Sequence, residues 1–304
     1  LCTTDFVTSL NAKMYFPPHQ YGFRRGRSTI MAIHHFTQKI LEGWDKKERG
    51  VGVFMDLSKA FDCVNHRLLG LKLERYGIRG DALNWLKSYL SSRSQFVEVQ
   101  GRRSGLGHIK RGVPQGSVLG PLLFLIYIND LPDCVEGDMC LYADDANLLE
   151  KDQDCDTLEE KLYVDLQCME QWLSSNELVA HTEKTAHIPF SLKEWDTGEP
   201  EVILGGKEIQ RVEETAFLGV KIDKKLDWSK HVDNLLSATV QLELFTKWKY
   251  VIFVYMGSSA TRKIEILNEK SIHPSPPNSF SVEVYVELVH VHICSFLVQT
   301  AMTI

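Results

Sequence analysis

Apolar positions recur at helical spacing in five segments of the chain. In each segment the apolar side chains fall three or four residues apart, which predicts an amphipathic helix. Gly77 separates the second helix from the third. The five segments lie near residues 30–41, 69–76, 83–90, 122–128 and 158–173. The predicted inward face of the first helix consists of Ile30, Ile33, Ile40 and Leu41.

Short apolar runs between these helices predict β-strands. Asp144 and Asp145 lie between two such runs, and adjacent acids in that position predict a tight hairpin turn. Residues 112–116 form a predicted loop, and Ser117 is a predicted cap for the helix that follows. The runs cover residues 51–55, 96–99, 139–143, 146–149, 186–190, 202–204 and 217–222.

The order of these elements predicts a mixed α/β (α+β) fold. Its helices and strands follow one another in the way expected for an antiparallel sheet with helices packed on one face. The chain has 304 residues, which is enough for one large domain or two ordinary ones. Apolar residues make up 44% and charged residues 24%, values typical of a globular protein.

Composition argues against a membrane protein, a disulfide-stapled protein and a zinc protein. No apolar stretch reaches the roughly 18 residues that a membrane-spanning helix needs, and the first residues lack a signal-peptide pattern. The seven cysteines include no Cys-x-x-Cys pair. We therefore expect an intracellular protein with reduced thiols and no membrane partner.

The charge is distributed unevenly along the chain. Its net value is −6, but residues 1–120 hold 19 basic and 9 acidic side chains, whereas the rest of the chain is acidic. A basic first part is typical of a surface that binds phosphates. An ordinary mixed surface explains the same numbers, so charge alone leaves both interpretations open.

Three acids end or interrupt the predicted strands, namely Asp56, Asp144 and Asp145. A carboxylate in a strand is costly to bury unless a cation accompanies it, and two adjacent carboxylates also repel. Oxygen ligands favour Mg²⁺ or Mn²⁺ over zinc. Such carboxylates can hold two ions roughly 4 Å apart for an in-line phosphoryl transfer. The alternative is an exposed acidic turn with Asp56 as a helix cap, and spacing alone does not exclude it.

Three sequence motifs resemble those of reverse transcriptases from LINE-type (non-LTR) retrotransposons. Residues 142–145 (YADD) resemble the family's [Tyr/Phe]-x-Asp-Asp box. Residues 53–62 (VFMDLSKAFD) resemble its first catalytic motif, and residues 111–124 (RGVPQGSVLGPLLF) resemble its nucleotide-pocket motif. One such box is a weak signal, whereas several in the family's order are specific.

Three further motifs extend the resemblance over roughly residues 15–240. Residues 20–29 (QYGFRRGRST) resemble the fingers motif, Lys184-Thr185 the lysine motif, and residues 217–220 (FLGV) the primer grip. The resemblance implies a right-hand polymerase palm with partial fingers and a thumb that is absent or degenerate. The implied divisions are partial fingers at 1–50, the palm with inserted fingers elements at 51–240, and an atypical tail, degenerate thumb or foreign sequence, at 241–304.

The resemblance assigns metal binding and catalysis position by position. Asp56, Asp144 and Asp145 would be the metal ligands, together with the backbone carbonyl of Leu57. They would hold two Mg²⁺ ions, with Mn²⁺ as a possible substitute. Lys184 would protonate or neutralise the departing pyrophosphate.

The resemblance also assigns nucleotide binding. Phe61, five residues after Asp56, matches the bulky side chain that excludes a ribose 2′-hydroxyl. Gln115 and Gly116 would line the pocket for the incoming nucleotide. Arg24 and Arg27 are candidates to contact the triphosphate or the template. Plain surface arginines are the alternative for those two positions.

The implied function is RNA-directed DNA polymerisation, a nucleotidyl transfer. Its partners would be an RNA template, a DNA primer and deoxynucleoside triphosphates, in the nucleus and cytoplasm; the oligomeric state stays open. Departures from the family pattern are His181 and Ala146, where Asn and Thr are usual, and a tail unlike the family's basic, helical thumb. The chain also begins late in the fingers. The alternatives are therefore a catalytically inactive retrotransposon remnant or a nucleic-acid-binding protein on the same fold.

Overall fold

The computed structural model describes residues 16–192, Trp195 and residues 198–235. The predicted tail, 241–304, lies outside the described residues, so its assignment stays a prediction. The chain divides into two compact units, Leu1–Leu226 and Asp227–Ile304. All the contacts discussed below lie within the first unit. Among the described residues, no helix has the length and apolar character to cross a bilayer.

Residues 229–235 are helical, and residues 16–226 of the described part contain six α-helices and one short 3₁₀-helix. Side chains cap several of them: Ser28 accepts from the backbone N–H of Met31 at the start of the first, and Asp154 accepts from that of Thr157 at the start of the last. The α-helices are α1 Thr29–Asp45, α2 Ala60–Cys63, α3 His66–Arg75, α4 Gly80–Leu90, α5 Leu119–Ile128 and α6 Cys155–Ser175, and the 3₁₀-helix is Leu131–Cys134.

Thirteen strands lie in the described part of the chain. They are β1 Arg49–Met55, β2 Ser94–Gln95, β3 Glu98–Val99, β4 Arg102–Arg103, β5 Gly107–His108, β6 Asp138–Tyr142, β7 Asp145–Asp152, β8 Ala186–Phe190, β9 Ile203–Leu204, β10 Lys207–Glu208, β11 Gln210–Arg211, β12 Glu214–Phe217 and β13 Val220–Asp223.

Five of these strands form the central sheet, in the order β11-β8-β1-β7-β6. All neighbours are antiparallel except β11 and β8, which run parallel. In the register of β1 with β7, Met55 lies opposite Ala146. The end of β1 therefore lies beside the start of β7, and the next residue after β1 is Asp56. The predicted mixed α/β fold with an antiparallel sheet is confirmed.

Helices cover both faces of this sheet, so the prediction that they pack on one face is wrong. Side chains of a strand point alternately to opposite faces, and on β1 Val53 joins the larger core with α3 to α6 while Phe54 joins a second core. Helix α1 packs into that second core through Phe36. The ring of Phe190 fits in the same core because Gly52 has no side chain. A Cβ at position 52 would lie 2.7 Å from that ring.

The inward face of α1 also differs from the prediction. Ile30 and Leu41 are exposed at 41% and 48%, whereas Ile40 is buried as predicted. The buried positions are spaced three or four apart but include small residues and an aromatic ring, which an inward face of isoleucine and leucine does not anticipate. They are Ala32, Phe36, Ile40 and Gly43.

Residues 217–222 form a hairpin, not the predicted single strand. Strands β12 and β13 pair antiparallel, with Phe217 opposite Val220. The turn between them consists of Leu218 and Gly219, which have φ values of 50° and 86°. Two consecutive residues with positive φ are typical of a tight hairpin turn, and glycine tolerates such a φ without strain. Phe217 anchors the hairpin, with its ring centroid 5.1 Å from that of Phe36 and 5.6 Å from that of Phe54.

The remaining helices match the sequence pattern closely. The predicted inward leucines of α3, α4 and α6 are all buried. Ser117 accepts a hydrogen bond from the backbone N–H of Gly120 at 2.9 Å, at the start of α5. Of the predicted strand 96–99, only Glu98–Val99 is extended and paired.

Candidate active site

The predicted turn at Asp144 and Asp145 joins β6 to β7. Tyr142 pairs with Asp145 across the hairpin, so Ala143 and Asp144 form its two-residue loop. Ala143 has a φ of 55°, a left-handed conformation that is uncommon for a residue other than glycine. Asp144 is half-buried and Asp145 is exposed. The hairpin thus presents two carboxylates at one end of the sheet.

Asp56 joins these two acids because β1 ends beside the start of β7. Burial raises the pKa of Asp144, and the charge of Asp56 raises it further. Burial raises the pKa of Asp145 to about 6, and the charges of Asp144 and Asp56 add to this effect. Although Asp145 has an exposed surface, the surrounding chain removes enough water to disfavour its charged form. The three predicted carboxylates therefore form one electrostatically coupled group.

The oxygen atoms of this group are the kind of ligand that a hard divalent cation binds. Carboxylate oxygens suit Mg²⁺ or Mn²⁺, and a cation offsets the burial and the mutual repulsion that raise the two pKa values. Within the described ranges, no three His, Cys, Asp or Glu side chains converge closely enough to ligate a single ion. The donors thus fit the predicted metals in chemical type and in charge.

Lys184 reaches the group from a neighbouring segment. Its Nζ atom lies 3.4 Å from a carboxylate oxygen of Asp56. The backbone fixes this approach, because the N–H of His181 donates to the carbonyl of Asp56 at 2.8 Å, and Leu57 forms an antiparallel bridge with Ala180. His181 thus contributes to this approach through its backbone. The structure thus places Lys184 beside Asp56, and the roles of Lys184 and of the Leu57 carbonyl stay predictions.

Phe61 lies on α2, five residues after Asp56. Its ring stacks on Phe124 of α5, with the centroids 4.3 Å apart and the planes at 26°. The exposed ring of Phe23 meets it edge-on at 6.3 Å. Two neighbouring rings restrict the rotamers of Phe61, so its ring has a defined position.

The loop that carries Gln115 and Gly116 is bonded to α2. The Nε2 atom of Gln115 donates to a carboxylate oxygen of Asp62 at 3.0 Å, and the backbone N–H of Val113 donates to the carbonyl of Phe61 at 2.8 Å. Gln115 and Gly116 are exposed. The two predicted nucleotide-binding segments are therefore held together as one surface.

A family model described as reverse transcriptase (RNA-dependent DNA polymerase) matches residues 3–222. The chain belongs to this reverse transcriptase family. The RNA-directed DNA polymerase from mobile element jockey of Drosophila melanogaster is 33% identical over 247 residues, covering 78% of this chain and 26% of that protein. The polymerase of the same name from Drosophila funebris is 27% identical over 304 residues, covering 96% of this chain and 32% of that protein.

These relatives confirm the predicted resemblance to retrotransposon reverse transcriptases. The chain spans about a quarter to a third of their length. Among solved structures, telomerase from Candida tropicalis in complex with a TWJ fragment of telomeric RNA has a TM-score of 0.50 and is 14% identical, covering 75% of this chain and 37% of that one. This likeness shows the fold alone, and the fold is consistent with a polymerase palm.

Arg24 and Arg27 of this reverse transcriptase already have partners within their own loop. An Nη atom of Arg24 donates to the carbonyls of Pro17 at 2.7 Å and Gln20 at 3.0 Å. The guanidinium of Arg27 lies over the ring of Tyr21, 5.0 Å from its centroid. These contacts give both arginines a role in shaping the loop, and their binding to a triphosphate or template stays a prediction.

Two residues contribute to the reverse transcriptase site in ways that the sequence pattern does not reveal. Asp62, the last residue of the first catalytic motif, accepts the hydrogen bond from Gln115. Gln20 is buried at 1% exposure and contacts the Asp144 turn from 123 residues away in the chain. In the sequence, both residues are marked by their positions inside motifs that resemble those of the family.

Proposed function

We propose that this chain is the polymerase part of a retrotransposon RNA-directed DNA polymerase. The observation that carries the proposal is the coupled group of Asp56, Asp144 and Asp145 at one end of the palm sheet, within motifs of the reverse transcriptase family. Residues 16–50 would be part of the fingers, and residues 51–240 the palm with inserted fingers elements.

The three aspartates, with the carbonyl of Leu57, would hold two Mg²⁺ ions, for which Mn²⁺ would substitute. The ions would supply Lewis acidity and alignment for the attack of a primer 3′-hydroxyl on the α-phosphate of the nucleotide. Because burial and its neighbours raise the pKa of Asp145 to about 6, its carboxylate would be available to the ions mainly above that pH.

Lys184 would act on the leaving group. Its ammonium lies 3.4 Å from Asp56 and is itself well exposed, so it is able to leave that carboxylate and bind pyrophosphate. A cation at this place stabilises the negative charge that develops as the α–β phosphate bond breaks.

Phe61 would select deoxynucleotides. The stack on Phe124 holds its ring rigidly, so the ring does not move aside for a ribose 2′-hydroxyl. Gln115 and Gly116 would line the nucleotide pocket, with Asp62 orienting Gln115. The partners are then an RNA template, a DNA primer and deoxynucleoside triphosphates, and the basic excess in residues 1–120 favours such phosphate-rich partners.

The test is primer extension on poly-rA/oligo-dT with dTTP and either Mg²⁺ or Mn²⁺. The wild type is run beside the Asp144→Ala/Asp145→Ala double variant. Incorporation that vanishes in the double variant supports the proposal. A folded wild-type protein that binds the duplex without incorporation would identify a nucleic-acid-binding protein or an inactive remnant and would refute polymerase activity for this chain.

A further inference from the structure

The segment before α1 lies along the edge of the central sheet. The backbone N–H of Tyr21 donates to the carbonyl of Leu141 at 2.8 Å, and the N–H of Leu141 donates to the carbonyl of His19 at 2.8 Å. Gln20 and Leu141 form a parallel bridge. Strand β6 is the edge strand of the sheet. This segment thus extends the sheet beside the turn that carries Asp144.

The side chain of Gln20 reaches into that turn. Its Oε1 atom accepts two buried backbone hydrogen bonds, from Gly22 at 2.8 Å and from Ala143 at 3.1 Å. Ala143 has the left-handed backbone, with a φ of 55°. A left-handed conformation of a residue other than glycine persists only where its surroundings hold it. The amide oxygen of Gln20 is one group that holds it.

Gly22 closes the same contact from the other side. A Cβ atom at position 22 would overlap the backbone nitrogen of Ala143 and lie 3.0 Å from its Cα atom. The two backbones approach each other so closely that a side chain there would displace the turn. Gln20 and Gly22 together hold Ala143 in place, and these two residues form the clamp.

The clamp uses the oxygen of Gln20 and not its nitrogen. The Nε2 atom is buried without a hydrogen-bond partner among the described residues. A buried donor without a partner is destabilising. The contribution of Gln20 in this region is therefore its acceptor oxygen, delivered to the backbone N–H groups of Gly22 and Ala143.

We propose that Gln20 is a positioning residue that fixes the Ala143-Asp144 turn and so aims the Asp144 and Asp145 carboxylates. The catalytic part of this proposal rests on the proposed function, whereas the effect of the clamp on the turn does not. Displacement of reacting groups by about 1 Å costs on the order of 100-fold in rate. Loss of the clamp is therefore expected to lower kcat and to leave nucleotide KM nearly unchanged.

The experiment compares three variants with the wild type. Gln20→Met keeps the length of the side chain and removes the acceptor, whereas Gln20→Glu keeps the acceptor. Asn129→Ala is the control, because Asn129 is also a buried amide, bonded to the hydroxyl of Tyr76, but lies away from the turn. Amide hydrogen exchange is followed in peptides covering residues 139–146 and, for comparison, 158–173. Steady-state kcat and KM for dTTP are measured on the same proteins.

Gln20→Met is expected to speed exchange in residues 139–146 at least tenfold, with 158–173 unchanged, and to lower kcat about 10- to 100-fold. Gln20→Glu is expected to restore the protection and part of kcat, and Asn129→Ala to leave the turn protected. Unchanged exchange in Gln20→Met, equal loosening in the control, or loss of protection throughout the protein would each overturn the inference. Because exchange is read without turnover, an inactive wild type would refute the proposed function and still leave the clamp testable.

Discussion

Strand β7 contributes one acid to each of two acid pairs, one near each of its ends, and the two pairs behave differently. Asp145 opens the strand beside Asp144, and Glu150 lies near its other end beside Asp165 of α6. The first pair keeps exposed surface and has Asp56 and Lys184 nearby. The second pair is almost completely buried, with Glu150 at 5% and Asp165 at 3% exposure.

The groups around Glu150 and Asp165 offset the cost of burying this pair. Burial raises the pKa of Glu150 to about 8, and the hydrogen bond to Asp165 and the charge of Asp165 raise it too. Asp165 also accepts backbone N–H bonds from Glu136 at 3.1 Å and Gly137 at 2.9 Å. Gly137 leaves the room for this arrangement, since a Cβ there would overlap the Glu150 carboxyl. A shared proton and backbone donors thus replace the cation that the other pair would bind.

The difference shows that two adjacent carboxylates do not by themselves make an active site. The pair at the turn keeps exposed surface at one end of the sheet, and Asp56, which interacts with it, lies 3.4 Å from the ammonium of Lys184. In the core pair the raised pKa of Glu150 favours a proton on that carboxyl, and two backbone N–H groups donate to Asp165.

The largest effect is expected from neutralising one acid of each pair. Asp144→Asn is expected to reduce dTTP incorporation by at least about 1,000-fold, because a metal ligand is lost. Glu150→Gln keeps a neutral donor toward Asp165 and is expected to leave kcat within about twofold. Primer extension under identical conditions measures both. Similar losses in the two variants would mean that the pairs do not differ in function.

A smaller loss of activity is expected when Lys184, the lysine beside the pair at the turn (the open pair, Asp144 and Asp145), is replaced. Lys184→Gln is expected to lower kcat about 100-fold, the lower end of the usual contribution of a general acid. Lys161→Gln is the matched control, since Lys161 pairs with Asp152 at 2.6 Å near the far end of the same strand. Single-turnover incorporation measures both rates. Equal rates for Lys184→Gln and its control would exclude a role for Lys184 in the chemical step.

Sequence patterns predict the open pair well because its signals are local. The hairpin at 139–149, the ends of the strands at Asp56 and Asp145, and the helix at Phe124 are each specified within a few residues of chain. Periodicity alone leaves the acidic turn open as an ordinary surface turn, and the motifs mark it as the candidate site because they resemble those of the reverse transcriptase family. Local alternation and motif spacing therefore suffice for the position of the candidate site.

Contacts between distant segments are what the sequence pattern does not provide. Glu150 and Asp165 become a pair only because α6 packs against β7, and neither residue differs from a solvated acid in its local pattern. Gln20 meets Ala143 only once the segment before α1 joins the sheet edge. The same is true of α1, whose buried face is set by the aromatic core around Phe54. Tertiary packing decides these features, and local propensity does not.

The buried pair is expected to make stability depend on pH. The folded pKa of Glu150 is about 8, above the ordinary value of 4.5, so the unfolded chain releases this proton earlier as pH rises. The free energy of unfolding should therefore fall between about pH 4.5 and 8. Glu150→Gln should remove this contribution and stabilise the protein at pH 8 by on the order of a few kcal/mol, with little change at pH 4.5. Urea unfolding at both pH values measures the difference. A variant that is less stable than the wild type at pH 8 would contradict a protonated Glu150.

The open pair is expected to show its pH dependence in metal binding instead. Burial, Asp144 and Asp56 raise the pKa of Asp145 to about 6, so protons compete with the cation below that value. The apparent affinity for Mn²⁺ should therefore rise about tenfold between pH 5 and pH 7, since the charged fraction of Asp145 rises by about that factor. Mn²⁺ titration by electron paramagnetic resonance measures it, and Asp145→Asn should bind more weakly and lose most of the rise. Glu150→Gln should follow the wild-type curve, because the buried pair holds a proton and takes no part in binding the ion. An affinity that is flat with pH, or a curve that moves in Glu150→Gln, would remove the distinction between the two ends of β7.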